Sequence, residues 1–110
     1  MLTPAHNVVL IGMPGAGKST LGVLLAKAIG HDFIDTDLVI QRQAGMTLGS
    51  YLASRGYEAL RQLEAEVICA LDHAGTVIAT GGSAVYSQAA MQHLRANGRV
   101  VYLKCALDVL

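Results

Sequence analysis

Short apolar runs alternate along this chain with stretches in which apolar residues recur every three or four positions. Asn7 to Ile11 (NVVLI) is rich in β-branched residues and bounded by Pro4 and a downstream Gly/Pro cluster, which predicts a buried strand. Leu21, Leu24, Leu25, Ala28 and Ile29 follow at helical spacing, the apolar stripe of an amphipathic helix, and Gly30 suits its C-terminus. Phe33 and Ile34 predict a second strand ending in Asp35-Thr36-Asp37. Thr47 is placed to cap a brief helix through about Ser54. A longer helix is expected from about Tyr57 to His73, with Leu60, Leu63, Val67 and Leu71 on one face and Gly75 just beyond. TVIAT, from Thr76 to Thr80, reads as a strand stopped by Gly81-Gly82. Ser87 then caps a helix to Asn97-Gly98, and RVVYL, from Arg99 to Leu103, reads as a fourth buried strand.

Strands alternating with helices imply right-handed βαβ units, hence an α/β fold with a parallel sheet covered by helices on both faces. The 110 residues are enough for one domain, and no repeat, linker or low-complexity tract divides them. At 53% apolar and 15% charged residues, the chain is far from the composition of disordered proteins. Eight basic and eight acidic residues cancel, so the electrostatic footprint that duplex nucleic acid or an anionic membrane demands is missing, and neither is an expected partner.

Cys69 and Cys105 show no metal or disulfide spacing, which fits buried free thiols in a reducing, cytoplasmic setting. His6, His31, His73 and His93 have no metal-site spacing, and Tyr51, Tyr57, Tyr86 and Tyr102 are too scattered to form a stacking platform for bases. No signal peptide and no membrane-spanning run is read. Ala106 to Leu110 looks like the opening turn of another helix, so the chain is expected to be a fragment.

Candidate chemistry begins at Gly12-Met13-Pro14-Gly15-Ala16-Gly17-Lys18-Ser19-Thr20, a full match to G-x-x-x-x-G-K-[ST] between a predicted strand and a predicted helix. Glycines there free backbone N–H groups to curl around phosphate oxygens, and the helix N-terminus adds partial positive charge. Lys18 is suited to the β/γ-phosphates and Ser19 to Mg²⁺. A merely glycine-rich connection would not need Lys-Ser-Thr in this register. Glycines at 12, 15 and 17 also miss the G-x-G-x-x-G spacing of a dinucleotide fold.

Asp35 and Asp37 end the second strand at the edge of a parallel sheet where ligands bind. Two readings stay open there: one acid near the metal and the other as base for a hydroxyl nucleophile, or helix capping. Arg61 and Glu64, three apart on the long helix, read first as an exposed ion pair. Gly81-Gly82 reads as a strand-ending turn or as a place where a ligand approaches the backbone.

Taken in order, GMPGAGKST, FIDTD, the G-x-x-x-x-R-x-x-E element in GYEALRQLE, and ATGGSAVY resemble the first two-thirds of a shikimate kinase. The resemblance implies a three-layer P-loop NTPase fold and transfer of the γ-phosphoryl group of ATP to the 3-hydroxyl of shikimate, in a monomer. It also implies roles by position. Gly15, Ala16, Gly17, Lys18, Ser19 and Thr20 would bind ATP, with Ser19 and Asp35 near Mg²⁺. Asp37 would bind the acceptor and serve with Lys18 in catalysis. Arg61 would pair with the acceptor carboxylate, fixed by Glu64, and Gly81 and Gly82 would offer backbone to the acceptor.

The chain departs from the family pattern at Ser83, where a third glycine is usual, and at Leu60, where a phenylalanine is usual. The family's lid, later arginines, adenine loop and fifth strand find no counterpart in these 110 residues, so the isolated chain is expected to turn over poorly. A kinase of another small anionic hydroxyl compound and a nucleotide-binding module without turnover remain alternatives.

Overall fold

The computed structural model describes residues 6–12, 18–81, 84 and 86–103. Among the described residues four strands and five helices follow one another: β1 (Asn7–Gly12), α1 (Lys18–Ile29), β2 (Asp32–Asp35), α2 (Thr36–Ala44), α3 (Leu48–Arg55), α4 (Tyr57–Cys69), β3 (Thr76–Thr80), α5 (Gln88–Asn97) and β4 (Gly98–Leu103). All strand pairs are parallel, in the order β2-β3-β1-β4. Successive side chains of a strand point to opposite faces, and both faces of β1 are buried. Val8 and Leu10 join Ala26, Leu25, Val77 and Phe33 under α1. Val9 and Ile11 join Ile68, Ile78, Ala90, Met91 and Leu94 under α4 and α5. The expected three-layer α/β architecture is therefore present.

Four features differ from the expectations. An additional helix, α2, occupies the interval between the second strand and Thr47. The Asp35 side chain caps it and Gly45, at φ 73°, ends it. Helix α4 stops at Cys69 rather than His73, yet Leu71 still packs on the core from the following turn, where His93 Nε2 donates to its carbonyl at 2.7 Å. The heptad-like spacing reported burial of Leu71, and burial does not require helix.

Most of the stripe assigned to α1 faces outward, with Leu24 60%, Leu21 43% and Ile29 42% exposed, and only its Leu25 packs on the core. The helix instead meets the sheet through Gly22 and Ala26, and a Cβ on Gly22 would overlap the Phe33 ring. Small residues four apart let the helix backbone approach β2, so the packing face carries little apolar bulk and escapes a search for large residues. Finally, β4 is at the sheet edge, with Val101 and Tyr102 exposed rather than buried, and the Cys69 thiol is exposed too. Cys105 lies outside the described residues.

Asn7 fastens the sheet's amino edge. Its buried side-chain amide donates to the His73 carbonyl at 2.9 Å, and its carbonyl accepts from the Thr76 N–H at 3.0 Å. Among the described residues no helix is long and apolar enough to cross a membrane.

Candidate active site

Parallel pairing brings the carboxyl ends of the strands to one edge, the edge at which open α/β sheets bind ligands. Asp35 is level with Ala79, and Ile11 with Thr80, so Gly12, Asp35 and Gly81 emerge together. Lys18, Ser19 and Thr20 form the first turn of α1, whose leading N–H groups have no partner within the helix. Gly15, Ala16, Gly17 and Gly82, assigned from sequence to phosphate and acceptor, lie outside the described residues, as does Ser83, the departure from the family's third glycine.

Of the two readings open for the aspartates, the structure shows the cap, and Asp35 makes it. Asp35 is the N-cap of α2: its Oδ1 accepts from the Asp37 N–H at 2.9 Å. Asp37, half-buried in the first turn, is held with its carboxylate toward β3 and α4. A Cβ on Gly81 would sit 3.6 Å from Asp37 Oδ1 and 3.6 Å from Glu64 Oε2. Thus two carboxylates border one glycine at the head of β3. Neither would be reached without the α2 and α4 helices that pack on one another beside the strand.

Arg61 precedes Glu64 by about one turn of α4 and is half-buried. Its Cζ lies 5.5 Å from the centroid of the Tyr57 ring and 5.0 Å from that of Tyr86. An open cavity of about 380 Å³ is lined by Glu58, Arg61, Gln62, Tyr86 and Ser87. Sequence reading passed over both tyrosines. Tyr57 had a signal, four residues before Arg61 on one helix face, whereas Tyr86 reaches Arg61 only through the tertiary fold.

Among the described residues, no three His, Cys, Asp or Glu side chains group closely enough to cage a metal ion. Asp35, a single carboxylate at the head of β2, has the oxygen chemistry that suits a hard cation keeping several of its waters.

A parallel sheet whose first strand leads through a glycine-rich segment into a helix opened by Lys-Ser-Thr, with helices on both faces, makes this an α/β protein of the P-loop class. Within that class the chain belongs to the shikimate kinase family, whose model matches residues 14–110. Shikimate kinase 2 of Yersinia pseudotuberculosis is 41% identical over 105 residues, covering 96% of this chain and 60% of that protein. The shikimate kinase of Acinetobacter baumannii, solved in complex with shikimate, superposes with a TM-score of 0.82 at 34% identity, over 90% of this chain and 56% of that one. That of Aquifex aeolicus gives 0.76 at 29% identity, over 87% and 58%. The chain thus spans about three-fifths of the length of the curated relatives it matches.

Proposed function

We propose that the protein transfers the γ-phosphoryl group of ATP to the 3-hydroxyl of shikimate, as a monomeric cytoplasmic enzyme of one domain. The observation that carries this reading is the convergence of Asp37 and Glu64 on Gly81, with Arg61 a turn away, at the edge where the phosphate loop opens. Membership of the family and the shikimate bound by the Acinetobacter relative support it.

In this reading Gly15, Ala16, Gly17, Lys18, Ser19 and Thr20 bind the nucleotide, and Lys18 stabilises charge on the transferring group. Ser19 and Asp35 would hold Mg²⁺, which neutralises phosphate charge when bound. Arg61 takes the acceptor carboxylate, for which a planar guanidinium offers two parallel donors. Gly81 and Gly82 let the acceptor approach the backbone. Asp37 accepts the proton of the acceptor hydroxyl as its oxygen bonds to the γ-phosphorus and the bond to the departing ADP oxygen breaks.

A coupled assay of ADP release from Mg-ATP and shikimate by the full-length protein tests the reading. Asp37→Asn should lower kcat by about 10²- to 10⁴-fold. Arg61→Ala should raise the KM for shikimate by about 10- to 100-fold, the loss of a charge-assisted hydrogen-bonded pair. Turnover independent of shikimate, or unaffected by Asp37→Asn, would sink it.

A further inference from the structure

The geometry points to Tyr57 and Tyr86 as positioning residues that hold the Arg61 guanidinium against two rings and so set how tightly a carboxylate-bearing acceptor binds. The inference rests on the proposed role of Arg61 and adds to it the two side chains that orient the arginine. Both rings lie within the roughly 6 Å over which an aromatic face attracts a cation.

A comparison inside the chain separates this arrangement from an ordinary helix pair. Arg55 also lies over a tyrosine four residues earlier, Tyr51, at 5.6 Å, as expected of neighbours on one helix face. Only Arg61, among the described residues, has a second ring brought to it from another element, the connection between β3 and α5. Tyr57 is 54% and Tyr86 68% exposed, so neither ring is there to fill the core. Tyr86 also lines the cavity into which Arg61 opens.

The physical advantage is preorganisation. A free arginine on a helix surface samples many rotamers, and ordering it on binding subtracts from affinity. Two ring contacts restrict it beforehand without using a hydrogen bond, because the attraction is between the cation and the π face. The N–H donors of the guanidinium therefore stay available for the two oxygens of a carboxylate. Because Tyr86 stands between Gly81 and the cap of α5, the clamp also ties the arginine to the segment that carries the acceptor-side glycine.

The test measures shikimate KM and kcat in the full-length protein for Tyr57→Leu, Tyr86→Leu, the double Leu variant and the corresponding Phe variants. Each Leu substitution should raise KM about two- to fivefold with kcat held, and each Phe variant should restore it, since the ring and not the hydroxyl does the holding. Shikimate methyl ester, which lacks the charge, should show no such difference between wild type and Leu variants. Independently of any acceptor, the Arg61 Nε–H proton resonance should be displaced by ring currents in wild type and the Phe variants and return toward the free-arginine position in the double Leu variant. If Arg61→Ala weakens shikimate while both Leu variants bind it as wild type does, or if the Leu variants weaken the ester equally, the clamp is refuted and the kinase reading stands. If Arg61→Ala itself leaves shikimate KM unchanged, the acceptor role fails first, and an undisplaced Arg61 resonance would refute the clamp as well.

Discussion

Asp35 Oδ1 accepts the backbone N–H of Asp37 at 2.9 Å, so one of the two acids at the head of β2 fixes the backbone that presents the other. Capping and the proposed ligand role, alternatives when read from sequence, are compatible in this arrangement, since the cap uses Asp35 and leaves Asp37 turned toward Gly81. Asp35→Ala should lose about 1 kcal/mol of stability with the cap. Asp35→Asn keeps an equally good cap without the charge, and should unfold at the wild-type temperature while needing more Mg²⁺ for half-maximal turnover. Thermal melts beside a magnesium titration check the pair; an Asn variant with wild-type Mg²⁺ demand would remove Asp35 from the metal's surroundings.

Gly81→Ala would place a methyl group at ordinary van der Waals distance from both Asp37 and Glu64. Nothing there must shift, so the change in stability should stay within about 0.5 kcal/mol. The methyl nevertheless occupies the approach between the carboxylates, and shikimate KM should rise several-fold while that of ATP does not. Denaturant unfolding and two-substrate kinetics on one preparation decide it; equal effects on both substrates would contradict the assignment.

Gly22→Ala sets two effects against each other. Alanine is the better helix former by about 1 kcal/mol, but its methyl would overlap the Phe33 ring. Ring and strand are confined by the core beneath α1, so overpacking should win, with a net loss of about 1–2 kcal/mol. Adding Phe33→Leu should recover part of it, a coupling that a double-mutant cycle in urea would register.

Asn7→Ala should cost about 1–3 kcal/mol, because the buried Thr76 N–H loses its acceptor and the His73 carbonyl its donor. Hydrogen exchange provides the local readout: the Thr76 amide should exchange faster than its neighbours in β3.

The parts legible in the sequence were those written in adjacent residues. NVVLI and TVIAT announce buried strands by themselves, Thr47 and Ser87 cap the helices assigned to them, and the phosphate loop is a contiguous string. The ordered motifs also pointed to Asp37, Glu64 and Gly81, which the fold brings together. Helix α2 was not legible because TDLVIQRQA leaves Leu38 exposed and buries only Thr36 and Ile40, too faint a stripe to register. The true face of α1 was hidden because glycine and alanine make it. Tyr86 could not be linked to Arg61 by any spacing, since the link exists only after α4 and the β3–α5 connection dock.

The position of β1 between β3 and β4 has a consequence for how the chain is made. Strand β1 has neither neighbour until α1, β2 and the three helices before β3 have been synthesised, and its second neighbour follows α5. Such distant pairings make for slow folding. Throughout that interval Val8, Val9, Leu10 and Ile11 have no sheet to bury them. The segment that ends at the centre of the core is, during synthesis, an uncovered apolar stretch, and chaperones that bind short apolar β-branched segments should find a site there.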